Sequence, residues 1–102
     1  MVHVIATITL HAGKRDAFLE VFHRLVPTVR AEDGCIDYGP NVDAVTDIGA
    51  QIPRRENVVT IVERWESLDA LNAHLAAPHM TTYRQDVKDF VAGVTLQILE
   101  PA

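Results

Sequence analysis

Cysteine is all but missing from this 102-residue chain. Cys35 stands alone, so no intramolecular disulfide is available, and such usage suits a reducing compartment. It follows Gly34 at the start of an extended segment, where nothing lowers a thiol pKa, which argues against a nucleophile. Basic runs are missing too. Nine Lys and Arg lie scattered against fourteen Asp and Glu, a formal charge of -5, whereas phosphate backbones and anionic membranes call for a clustered basic face. No apolar run approaches the ~18 residues of a membrane span. The opening MVHVIATITL has no basic n-region and alternates like a strand rather than a signal peptide. A cytoplasmic protein with no nucleic-acid or membrane partner is the expectation.

Cofactor and catalytic motifs are equally scarce. There is no HExxH, no cysteine pair, no Gly-x-Ser-x-Gly elbow and no phosphate-cradling glycine loop. Of the five histidines, His3, His11 and His23 fall on different expected elements. His74 and His79 are five apart with Pro78 between them, not the i, i+4 spacing that puts two imidazoles on one helical face. Neither a metal nor a cofactor is expected.

What the chain does contain is an ordinary globular composition, 48% hydrophobic and 23% charged. Its length allows one domain, residues 1–102. Val2 to Leu10 is rich in β-branched residues and ends at a turn, His11-Ala12-Gly13, so it reads as a strand. From Lys14 the period changes: Phe18, Val21, Phe22, Leu25 and Val29 form one helical stripe, with Pro27 inside it as a kink. Gly34 closes that helix. Cys35 to Val42 follows as a second strand with an irregularity or edge at Gly39-Pro40, and Asp43 to Arg55 is a loop, either a lid or an arm toward a partner. Asn57 to Trp65 is the strongest strand, apolar enough on both faces to be central. Ser67 caps a helix through Leu68, Leu71 and Leu75 that stops before Pro78. Met80, Tyr83, Val87, Phe90 and Val91 continue at helical spacing to Gly93, and Val94 to Leu99 is the last strand.

This order predicts an α+β fold of the ferredoxin-like βαββαβ type, an antiparallel sheet with its helices on one face. The other face needs a cover that the chain does not supply, so a homodimer, a dimeric α/β-barrel assembly, is expected.

The residues able to carry chemistry gather after the central strand. Trp65 ends that strand and serves either as a core anchor or as a pocket wall. His74 neighbours the Leu71/Leu75 stripe and His79 starts the next helical piece. Tyr83 lies on the apolar stripe and Arg84 off it, while Tyr38 alternates with Ile36 in the second strand. From these residues alone the chain is a small dimeric domain with an aromatic and histidine-lined cavity.

The run IVERWESLDALNAHLAAPHM, a strand ending in Glu-x-Trp followed by His-Leu and Pro-His, resembles the antibiotic biosynthesis monooxygenase family. VPTVRAEDGCIDYGPNVD and the ending LQILEP resemble its quinol monooxygenase branch. The resemblance implies a homodimer that oxidises a small aromatic quinol with O₂, without metal, flavin or haem. It also implies His74 or His79 as base, Arg84 as electrostatic partner to an oxyanion, and Trp65, Tyr38 and Tyr83 as substrate-binding walls. In the polyketide-tailoring branch an Asn precedes the tryptophan by four and a Tyr follows it by six; here those places hold Ile61 and Leu71. The marker residues of the haem-degrading branch are replaced by Ala6, His74 and Arg84. Two other readings use the same cavity: a dimeric barrel that binds small aromatics without turnover, and a non-oxidative isomerase.

Overall fold

Alternation in the first ten residues decides which way the sheet faces. In a computed structural model describing residues 1–102, β1 (Val2–Leu10) buries Val2, Val4, Ala6, Ile8 and Leu10 on one side. The elements that follow are α1 (Arg15–Arg30), β2 (Cys35–Asn41), β3 (Val58–Trp65), α2 (Leu68–Leu75), α3 (Pro78–Val87) and β4 (Val91–Leu99). The sheet runs β2-β3-β1-β4 with every pair antiparallel. This is the expected ferredoxin-like α+β architecture, with β3 inside the sheet and β2 at its edge.

The helices meet the buried side of β1 and β3. Phe18, Phe22, Leu25 and Val29 of α1 share one core with Val4, Ala6, Ile8, Val59 and Ile61. An aromatic ladder locks α1 to β2, because Phe22 stacks on Tyr38 with ring centroids 5.4 Å apart. Pro27 leaves α1 continuous to Arg30, and its carbonyl accepts the Ala31 N–H at 3.2 Å. Ser67 caps α2 as expected, its Oγ accepting from the Ala70 N–H at 3.1 Å. Ala77 is extended and Pro78 opens α3, where a missing N–H costs nothing.

One boundary differs from the sequence reading. The helical spacing that runs on through Phe90 and Val91 is not used: α3 ends at Val87, and Gly93 lies within β4, paired with Thr9. The free edge of β1 is nine residues long, and pairing it satisfies more backbone groups than two further helical turns would. The inner-facing residues of β4, Val94, Leu96 and Ile98, stand opposite Ile8, Ala6 and Val4 yet are 54%, 47% and 42% exposed. The helices cover β2, β3 and β1 and leave β4 open.

The link from α1 to β2 is a tight turn in which the Cys35 N–H meets the Glu32 carbonyl at 3.2 Å. Gly34 makes it possible with φ of +82°, and a Cβ there would lie 2.6 Å from the Ala70 Cβ. Gly34→Ala should therefore lower stability by roughly 2–4 kcal/mol, from both backbone strain and overpacking against α2. Gly13→Ala, with φ of +78° in open space, should cost only about 1–2 kcal/mol. Urea denaturation of the two variants checks the difference.

Candidate active site

The inward face of β3 carries Val59, Ile61, Glu63 and Trp65 in alternation, so a carboxyl is drawn into the core with its apolar neighbours. Glu63 is buried, and the Trp65 indole Nε1–H donates to its Oε1 at 2.9 Å. Desolvation outweighs that bond and pushes the carboxyl up to about 7.

His74 projects from the buried side of α2 and is 1% exposed. Its ring lies against the Trp65 indole, centroids 4.6 Å apart at 32°, and meets Tyr38 edge-on at 5.5 Å. The Nδ1 atom is 2.9 Å from Glu32 Oε2, and the same oxygen is 2.8 Å from His79 Nε2. A carboxylate can only accept, so both imidazole nitrogens donate to it. That fixes the tautomer of His74 and leaves a lone pair on Nε2, which lies 4.0 Å from Glu63 Oε1, beyond hydrogen-bond reach. Burial lowers the pKa of His74 despite the support of Glu32, so its imidazole is held neutral.

His74 and Glu63 form the polar part of a cavity of about 280 Å³ between the sheet and the helices. Phe22, Ile61, Met80 and Ala6 supply apolar wall, and Tyr38, Tyr83 and Arg84 also line it. The most exposed lining residues are Val94, Leu96 and Arg84, which puts the mouth at the uncovered edge strand, while Leu75 and Tyr83 are half-buried. Arg84 Nη2 donates to the Leu75 carbonyl at 2.9 Å, holding the guanidinium beside that mouth. Burial pushes both phenols, Tyr38 and Tyr83, well above the ordinary tyrosine value, so they are hydrogen-bond donors and not anions.

Two of the candidate residues lie outside the cavity. Trp65 is not a wall of the cavity: it is fully buried beneath His74, where the strand-to-helix junction closes over it. His79 is not in the cavity either; it stands behind His74, with Glu32 between them, and lines a surface groove. The spacing argument that separated the two histidines fails for a related reason. Pro78 starts a new helix, and the bend between α2 and α3 brings both rings to one carboxylate. None of residues 43–55 lines the cavity, so that loop is not its lid in this conformation.

Two residues went unnoticed in the sequence. Glu63 could have been found, since it shares the inward parity of Ile61 and Trp65. Glu32 carries no local signal, because its partners lie 42 and 47 residues away. Glu32, His74 and His79 could also hold a metal ion, one ligand atom each within 4.8 Å of one another. The ion would have to displace both imidazole protons that now bridge to the carboxylate. Cys35 is not activated, since burial raises its thiol pKa.

The raised Glu63 carboxyl has a thermodynamic consequence. The folded protein retains a proton that the unfolded chain gives up near pH 4.5, so stability falls as pH rises from 4.5 through about 7. Glu63→Gln removes that titration. Relative to the parent it should gain about 3 kcal/mol between pH 4.5 and pH 8, read from urea midpoints at the two pH values.

The model of the family described as antibiotic biosynthesis monooxygenase matches residues 1–86. The chain is 40% identical to a protein of Escherichia coli K12 named probable quinol monooxygenase YgiN, over 99% of this chain and 98% of that one. Among solved structures, Rv0793 from Mycobacterium tuberculosis superposes with a TM-score of 0.80 at 28% identity, covering 99% of this chain and 94% of that one. PA3566 from Pseudomonas aeruginosa shares the fold, with a TM-score of 0.81 at 24% identity over 99% and 93% of the two chains. This chain belongs to the antibiotic biosynthesis monooxygenase family.

Proposed function

We propose that this protein is a cofactor-independent quinol monooxygenase, a cytoplasmic homodimer that oxidises a small aromatic quinol with O₂. The observation that carries the reading is a neutral imidazole, His74, presenting a free Nε2 to an apolar cavity while Glu32 orients it from behind. That is the arrangement of a general base with its orienting carboxylate. A cavity of about 280 Å³ lies at the lower end of ligand-site volumes and suits a guest of one or two rings. The name of the Escherichia coli relative supports a quinol as substrate class.

The chemistry follows from ionisation. With a phenolic pKa of about 10, forming the quinol anion at pH 7 costs roughly 4 kcal/mol. His74 takes the hydroxyl proton on Nε2, and Arg84 at the mouth offsets charge on the new oxyanion. The anion then gives one electron to O₂; the two radicals join at a ring carbon, and the resulting hydroperoxide loses water. Quinol plus O₂ yields hydroxyquinone plus water, with all four electrons supplied by the quinol. Tyr38 and Tyr83 offer aromatic surface to the ring.

Pairing with a second copy is supported by the apolar side chains left in water. Val45, Ile48 and Ile52 of the long loop are 79%, 65% and 61% exposed, and Val94, Leu96 and Ile98 form a separate exposed apolar stripe along β4. No helix is long and apolar enough to cross a membrane, and the lone cysteine suits the cytoplasm.

An oxygen electrode tests the activity, using chelator-treated protein, chemically reduced naphthoquinol and subtraction of autoxidation. The parent should consume O₂, and ¹⁸O₂ should label the product. His74→Ala should lower kcat/KM by about 10²–10⁴-fold. Quinol binding without O₂ uptake would instead make the domain a ligand-binding barrel.

A further inference from the structure

We propose that Glu32 and His79 form a proton exit leading from the buried base His74 to a surface groove between α1 and α3, separate from the mouth that admits substrate. The inference rests on the reading of His74 as base and adds the route by which that base is reset.

The geometry supplies each link. His74 is closed off from water, and its Nε2 side faces the cavity that a bound quinol would fill. Its other nitrogen points to Glu32 Oε2 at 2.9 Å, and that oxygen is 2.8 Å from His79 Nε2. The His79 side chain is 30% exposed and lines a groove of about 250 Å³ with Thr28, Arg24, Thr82 and Asp86. Tyr83 lies between cavity and groove and borders both. The substrate mouth, by contrast, is at Val94, Leu96 and Arg84. A proton taken from substrate thus has no way back past the substrate, but it has a continuous hydrogen-bonded path behind the base.

The transfers balance without any further reagent. His74 accepts the substrate proton on Nε2 and gives up the one on Nδ1 to the Glu32 carboxylate. Because His79 Nε2 already carries a proton, His79 first changes tautomer through groove water, taking a proton on Nδ1 and releasing the one on Nε2. Nε2 then accepts the Glu32 proton and Nδ1 returns one to water, with Asp86 and Arg24 as the charged neighbours. One proton enters from the cavity, one leaves at the groove, and His74 returns to neutral as its mirror tautomer. Since quinol plus O₂ gives hydroxyquinone plus water with no net proton released, the reverse shift returns one proton to the cavity as the hydroperoxide loses water and restores the starting tautomer. Glu32 and His79 are positioning and relay residues, since neither touches the cavity.

The deciding measurement needs no substrate. In chelator-treated protein, the exchange of the His74 Nδ1 proton with solvent is followed by NMR on ¹⁵N-histidine-labelled protein. In His79→Gln the side chain still bonds to Glu32 but cannot shuttle a proton, and exchange should slow by about tenfold or more. His79→Ala should behave alike, with exchange restored by added imidazole. Unchanged exchange in both variants overturns the path, whatever turnover does. Given slowed exchange, a parallel fall in kcat at constant KM, recovered by imidazole, assigns the path to turnover, and full kcat removes it from turnover. If the parent protein consumes no O₂, the monooxygenase reading fails, while the exchange result still decides whether the path exists.

Discussion

A single oxygen atom, Oε2 of Glu32, organises the site. It accepts from an imidazole on α2 and from another on α3, while its own residue sits in the turn that joins α1 to β2. Three segments distant in sequence are tied at one point, and hydrogen bonds to an ionised acceptor are worth about 1.5–3 kcal/mol each. The position of that oxygen depends in turn on the Glu32–Cys35 turn, and so on the positive φ of Gly34 and its contact with Ala70 of α2. Backbone geometry, helix packing and the tautomer of His74 are therefore one constraint. If the turn is displaced, His74 loses the partner that decides which of its nitrogens is free.

Low dielectric does the rest of the tuning. The same burial that raises Glu63 lowers His74, so each is driven toward its uncharged form. A neutral imidazole beside a carboxyl that titrates near neutrality is a pair able to take up and release one proton with little change in net solvation. Trp65 contributes without entering the cavity: its ring face supports the imidazole and its N–H holds Glu63. A tryptophan at that junction is a scaffold for the two polar groups, and its chemical value lies in being sealed.

Much of the fold was legible because its determinants are local. The alternation from Val2 to Leu10, the stripe from Phe18 to Val29, the cap at Ser67 and the break at Pro78 each act within a few residues. The end of α3 was not legible, since Phe90 and Val91 keep the helical period, and only the unpaired edge of β1, some eighty residues earlier, claims Val91 for a strand and leaves Phe90 in the turn before it. The site divides in the same way. His74, Tyr38, Tyr83 and Arg84, singled out in the sequence, line one cavity. Glu63 was visible in principle as a carboxylate at an inward strand position. Glu32 was not visible at all, because a residue that looks like a helix terminus becomes a site residue only when α2 and α3 fold against it.

The placement of the two histidines also bears on how a site without an assigned cofactor can work. They flank a carboxylate from either side, one ring deep and one at the surface, so the three groups are arranged in series. Series order suits movement of charge from inside to outside. It also limits the energetic cost of protonating a buried imidazole, because the positive charge on His74 would lie 2.9 Å from a carboxylate oxygen of Glu32. Such proximity would offset part of the cost of charging a desolvated histidine in a cavity too apolar to stabilise an imidazolium by solvation.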